Sequence, residues 1–88
     1  MNTSGPDQPG WNFERIYEEY KDPITNFIYH LVNSRELAED LAQDTFLKAF
    51  RALPRMDKSL KLSAWLYRIA TNMAYDWLRR QWLSAFQS

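Results

Sequence analysis

Glu-Leu-Ala-Glu-Asp-Leu-Ala-Gln-Asp-Thr-Phe-Leu-Lys-Ala-Phe-Arg-Ala-Leu, residues 36–53, places Leu37, Ala38, Leu41, Ala42, Thr45, Phe46, Ala49, Phe50 and Leu53 in adjacent pairs that recur every four residues. That spacing puts them on one stripe of a helix, with Glu36, Glu39, Asp40, Gln43, Asp44, Lys48 and Arg51 on the opposite face. Asn33 stands three positions before Glu36, a capping arrangement that predicts a helix opening near Ser34. Pro54 ends it, because the residue before a proline is driven out of the helical region.

The same period extends to both sides. Phe13, Ile16, Tyr17, Tyr20, Ile24, Phe27, Ile28 and Leu31 predict a helix over 12–32. Pro23 interrupts it by removing one backbone donor, so the sequence leaves open a kink or a split in which Asp22 caps a second piece. Trp65, Leu66, Ile69, Ala70, Met73, Ala74 and Trp77 predict a third helix over 63–82, capped by Ser63. Residues 54–62 carry turn formers and charge without a stripe and read as a loop. No strand-like alternation competes, so the fold class is all-α: a compact three-helix bundle whose first helix is kinked or split at Pro23. Both glycines and two of the four prolines fall within residues 1–10, which read as a flexible tail. The helical domain is then 11–83, followed by a short tail at 84–88.

Length and composition exclude several classes of function. The 88 residues suffice for one core, and 45% hydrophobic content, 16% of residues being aromatic, is enough to fill it. With no cysteine there is no disulfide framework, thiol nucleophile or cysteine-held zinc. No apolar run approaches membrane-spanning length, which predicts a cytoplasmic protein without membrane insertion. The single His30 lies beside the apolar stripe and reads as structural, so no metal and no cofactor are expected. Catalysis is not expected either, since there is no glycine-rich phosphate loop and no nucleophile–base set can be built around one histidine.

The net charge is zero, but it is unevenly divided. Residues 1–44 hold three bases against nine acids, and residues 45–88 hold eight bases against two acids. Two differently charged surfaces follow, and with them two partners. On the second helix Asp40, Gln43, Asp44 and Leu47 form an acidic patch with an apolar spot, suited to a basic helical partner. The outward face of the third helix carries Tyr67, Arg68, Thr71, Asn72, Tyr75, Asp76, Arg79 and Arg80. Arginine neutralises phosphate, amides and hydroxyls bond base edges, and tyrosine stacks on an unpaired base. A plain solvated face in which Asp76 pairs with Arg80 remains the alternative. In the loop, Arg55, Lys58 and Lys61 surround Met56, Leu60 and Leu62, which either wedge into nucleic acid or pin the loop to the core.

The stretch 36–53, together with Ala-Trp-Leu-Tyr-Arg-Ile-Ala-Thr-Asn-Met-Ala-Tyr-Asp-Trp-Leu-Arg-Arg at 64–80, resembles region 2 of a bacterial sigma factor, most closely of the extracytoplasmic-function (ECF) group. Two long motifs in the right order and separation carry the resemblance. It implies a subunit that docks its second helix on the β′ coiled coil of core RNA polymerase, with Asp40, Gln43 and Asp44 matching that motif and Leu47 beside them. It also implies that the loop and third helix recognise and melt the promoter minus-10 element and capture an unstacked base of the nontemplate strand. The matching positions are Met56, Asp57, Lys58 and Ser59 in the loop, and Trp65, Arg68, Asn72 and Asp76 on the helix. Arg55, Lys61, Thr71, Tyr75, Arg79 and Arg80 complete the expected DNA face, and Trp65 is assigned to the floor of the base pocket. Members of the family are commonly silenced by an anti-sigma factor, which is expected here as a further partner. The ending Trp82-Leu83-Ser84-Ala85-Phe86 is more apolar than the basic stretch the family leads one to expect. From a different class, a helical interaction module, an adaptor or sequestering protein, uses the acidic face and never binds DNA. Steep loss of DNA affinity with salt distinguishes the first reading from the second.

Overall fold

The computed structural model describes residues 12–56 and 61–87, the last of these in its backbone only. Three α-helices form, α1 (Phe13–Val32), α2 (Arg35–Ala52) and α3 (Leu62–Gln87), with a 3-10 turn at Leu53–Arg55 closing α2. No strand occurs among the described residues. The expected flexible tail at 1–10 lies outside them, as do Asp57, Lys58, Ser59 and Leu60 of the loop.

Each helix end has a local cause. Asn12 opens α1 by accepting from the backbone N–H of Glu14 at 2.9 Å. At the other end Asn33 adopts φ 60°, ψ 34°, and its N–H donates to the Tyr29 carbonyl at 2.7 Å. Asparagine closes helices in this left-handed geometry because its short polar side chain tolerates it. Asn33 thus ends α1 instead of opening α2, contrary to the capping arrangement expected from Glu36. Ser34 is the cap of α2, its hydroxyl accepting from the N–H of Leu37 at 3.3 Å. Arg35 then reaches back, its guanidinium lying 4.7 Å from the centre of the Tyr29 ring, and ties the tight corner.

Pro23 does not break α1, which runs unbroken from Phe13 to Val32. Both Pro23 and Glu19, whose carbonyl loses the donor that a proline lacks, are exposed, so water can satisfy the orphaned acceptor. Asp22 is therefore a residue of the helix and not a cap. At the other corner α3 starts at Leu62, one residue before the expected Ser63 cap, and the Lys61 carbonyl takes its first bond from Trp65 at 3.0 Å. Leu62 packs against the core, which draws that turn into the helix.

The core is built from unequal contributions. Ile16, Ile24, Ile28 and Val32 come from α1, Ala38, Leu41, Ala42, Phe46 and Ala49 from α2, and Leu66, Ala70 and Ala74 from α3. The alanines let α2 and α3 come close while the branched side chains of α1 fill the space between them. Thr45 is fully buried within α2, and its hydroxyl donates to the Leu41 carbonyl at 2.8 Å, so the core holds no orphaned polar group there. Burial along α3 ends with Ala74 and the half-buried Trp77 and Leu78. The helix nevertheless continues to Gln87, beyond its expected end at 82 and through the stretch expected to be a tail. Trp82 and Phe86 stand exposed there and stack edge to face on each other at 4.6 Å.

Candidate nucleic-acid and protein interfaces

The buried stripe of α2 fixes what its other face presents. With Ala38, Leu41, Ala42, Thr45, Phe46 and Ala49 turned inward, Glu36, Glu39, Asp40, Gln43 and Asp44 stand exposed together. Leu47 follows them, 53% exposed, as the sequence predicts. Beside it, Phe13 and Tyr17 of α1 join Gln43, Phe46 and Leu47 around a shallow apolar hollow of about 220 Å³. Phe50 departs from expectation. Its place on the stripe predicts burial, but it is 55% exposed, its ring meeting that of Phe13 in the first turn of α1 at 4.8 Å. The acidic patch is thus edged by aromatic surface, a combination suited to a basic amphipathic helix.

On α3, Arg68, Asn72, Tyr75, Arg79 and Arg80 are exposed, bringing together five of the side chains expected to meet DNA. Arg79 forms an ion pair with Asp76 at i, i+3, whereas the alternative of a plain solvated face paired Asp76 with Arg80. Both partners are at least half exposed, so the pair adds little stability and mainly fixes two side chains on the helix surface. Thr71 is half-buried, and its hydroxyl donates to the Tyr67 carbonyl at 2.7 Å, leaving its oxygen as an acceptor only. Tyr67 packs its ring against Phe27, so Tyr75 is the tyrosine of this face with a free surface.

Where α2 ends and α3 begins, a cleft of about 610 Å³ opens. Trp65 and Met73 line it from α3, and Asp44, Leu47, Lys48, Arg51 and Ala52 line it from α2, with Arg55 and Met56 from the turn that follows. Trp65 is half-buried and lines the cleft. Of the two readings left open for Met56, its 8% exposure favours the inward-packed one over a projecting wedge. Leu62 likewise packs on the core. Lys61 is exposed at the mouth of α3. The expected contributions of Asp57, Lys58 and Ser59 fall outside the described residues.

Lys48, Arg51 and Met73 enter this cleft although the sequence reading gave them no role. A signal for the two cations was present: within α2 the charge changes sign after Asp44, and Lys48, Arg51 and Arg55 follow at steps of three and four. His30 is exposed and donates from Nδ1 to the Asn26 carbonyl at 2.7 Å, a local bond within α1.

The comparisons with known proteins agree with this arrangement. Residues 16–84 match the family model described as Sigma-70 region 2. The chain is 39% identical over 69 residues to the ECF RNA polymerase sigma factor SigW of Bacillus subtilis, covering 78% of this chain and 37% of that protein. It is 37% identical over 65 residues to the ECF RNA polymerase sigma factor BldN of Streptomyces coelicolor, covering 73% of this chain and 25% of that one. The chain therefore spans well under half the length of these relatives. Among solved structures, the NMR complex of an engineered region 2 of sigmaE with GTAAAA superposes with a TM-score of 0.70, at 36% identity over 78% of this chain and 72% of that one. Fold, motif order and sequence identity agree: the chain belongs to the Sigma-70 region 2 family, in its extracytoplasmic-function group.

Proposed function

We propose that this domain docks on bacterial core RNA polymerase through α2 and recognises and melts the promoter minus-10 element through α3 and the loop before it. The observation that carries the reading is the segregation of two unlike surfaces on one rigid bundle. An acidic patch with Leu47 occupies α2, and Arg68, Asn72, Tyr75 and Arg79 recur at steps of four and three along α3, with Arg80 exposed beside them. The acids complement a basic coiled coil, assigned here to the β′ subunit, and fix orientation more than they add raw affinity. The α3 face combines phosphate neutralisation, base-edge bonding and stacking on one helix. Its relative, the engineered region 2 of sigmaE, forms a complex with GTAAAA. The nontemplate strand is the corresponding ligand proposed here.

The process contains no chemical step. Opening the duplex costs about 1 to 2 kcal/mol per stacked step, and captured single-stranded bases together with polymerase contacts offset that cost. Melting thus follows from higher affinity for open than for closed DNA. The chain acts in the cytoplasm, and an anti-sigma factor that covers these same faces is the proposed means of silencing it. Association with core polymerase tests the docking assignment: Asp40→Ala with Gln43→Ala is expected to weaken co-purification at least tenfold, and wild-type recovery overturns it. For the DNA face, Asn72→Ala within the polymerase complex is expected to weaken binding of a nontemplate minus-10 strand. Absence of any DNA binding at low salt leaves only a protein-binding module.

A further inference from the structure

We infer that Lys48 and Arg51, at the C-terminal end of α2, form a phosphate-binding wall that carries the captured single strand across the cleft opposite Trp65. The inference rests on the DNA-binding reading above and extends it to a second helix. Lys48, Arg51 and Arg55 recur at steps of three and four, so they share one face of α2 and the turn after it, and all three are exposed and line the same cleft. None of them forms an ion pair within 4 Å among the described residues, where the pairs are Lys21–Glu18 and Arg79–Asp76. Asp44, one turn before Lys48 and also lining the cleft, forms no ion pair with that lysine within 4 Å.

The opposite wall determines which anion fits. Trp65 and Met73 line the cleft from α3, whereas Lys48 and Arg51 line it from α2 together with Leu47 and Ala52. Cations along one side of a groove with an aromatic plane on the other are what an unpaired strand requires, phosphates to one side and bases to the other. An acidic peptide would use the cations and leave the tryptophan without a role. The cleft also leads directly into the DNA face, because Trp65, Arg68, Asn72, Tyr75 and Arg79 follow one another at steps of three and four along α3. From Trp65 to Asn72 the helix rises about 10 Å, so a strand lying on that stripe runs past the end of α2. Helix α2 is then divided in use, its acidic first half toward polymerase and its basic last turns toward DNA.

Salt dependence tests the inference, because phosphate contacts set its slope whatever the base sequence. The 88-residue chain is titrated from about 20 to 200 mM salt with labelled single strands, a thymidine 12-mer and a 12-mer containing GTAAAA. For Lys48→Gln with Arg51→Gln, the slope of log K against log salt is expected to fall by about 1.4 on both probes, and for Lys48→Gln alone by about 0.7. Arg15→Gln, which removes an exposed cation among the acids of α1, is expected to leave the slope unchanged. Circular dichroism melting confirms that each variant is folded. Binding with an unaltered slope in the Lys48 and Arg51 variants overturns this inference and leaves the α3 face intact. Failure of wild type to bind either strand at the lowest salt overturns the DNA reading itself.

Discussion

Phe27 on α1 and Tyr67 on α3 meet edge to face, with ring centroids 5.1 Å apart and planes at 86°. The contact makes Tyr67 part of the seam between the helices that presents the α3 face, while Tyr75, two turns on, is 52% exposed. Two tyrosines of one helix are therefore placed differently, one in a helix seam and one open to solvent. Tyr67→Ala is expected to cost about 2 kcal/mol of stability, below the 3 to 5 of a fully buried aromatic because the ring is only half-buried. Tyr75→Ala is expected to change stability by less than about 0.5 kcal/mol and to weaken single-strand binding by the 1 to 3 kcal/mol typical of a lost stacking platform. Thermal melting and oligonucleotide titration of the two variants separate the roles, and equal losses of stability refute the division.

Leu66 is fully buried between the helices, whereas Phe86, with a larger side chain on the same helix, is 72% exposed beyond the bundle. Leu66→Ala is expected to lose about 2 to 5 kcal/mol, a fall in Tm of at least roughly 10 °C for a domain of this size. Phe86→Ala is expected to stay within about 0.5 kcal/mol of wild type. A melting curve of Phe86→Ala shifted as far as that of Leu66→Ala would mean that the end of α3 packs on something the bundle requires.

The helical stripes were legible because three periods of 3.6 run without a competing pattern, and Ile24, Ile28, Leu66 and Ala70 are buried where the sequence puts them. Helix ends were less so. Asn33 and Ser34 are both good caps, and the sequence alone does not say that the first would adopt φ 60° and close α1 while the second opened α2. Ser63 was outweighed by burial of Leu62, a tertiary effect that no local cap preference records. Phe50 keeps the stripe's phase but lies where the bundle thins to the first turn of α1, so period does not equal burial at its end. Of the candidate surfaces, the exposed α2 acids and the exposed residues of α3 were readable from helical phase. The cleft was not, because it brings Lys48 and Arg51 together with Trp65 from two helices separated by a loop.

The left-handed cap yields a sharp stability prediction. Asn33 must hold φ near 60°, which costs a residue with a Cβ and no local polar side chain about 1 to 2 kcal/mol. Asn33→Gly is therefore expected to match wild type within about 0.5 kcal/mol, and Asn33→Val to lose at least about 1 kcal/mol, a drop of roughly 4 to 8 °C in Tm. Denaturant melts of the two variants check it. Equal stability of the glycine and valine variants would mean that the backbone at this corner adopts another conformation.

Asp40 on α2 and Asn72 on α3 are both exposed polar residues on well-packed helices, so replacing either by alanine leaves the core untouched. If the two faces serve different partners, their losses must not cross. Asp40→Ala is expected to weaken association with core polymerase by about 1 to 2 kcal/mol while the isolated domain keeps its affinity for a minus-10 single strand within about 0.5 kcal/mol. Asn72→Ala is expected to do the reverse, losing about 1 to 3 kcal/mol on the strand, where an amide bonded to a base edge is removed, and nothing on polymerase alone. Asp44 is the informative third variant, because it belongs to the acidic patch and also lines the cleft. Removing its charge is expected to weaken polymerase binding and to strengthen strand binding slightly, since a carboxylate near the phosphates is lost. Parallel losses on both ligands for all three variants would mean that one surface, and not two, carries the binding.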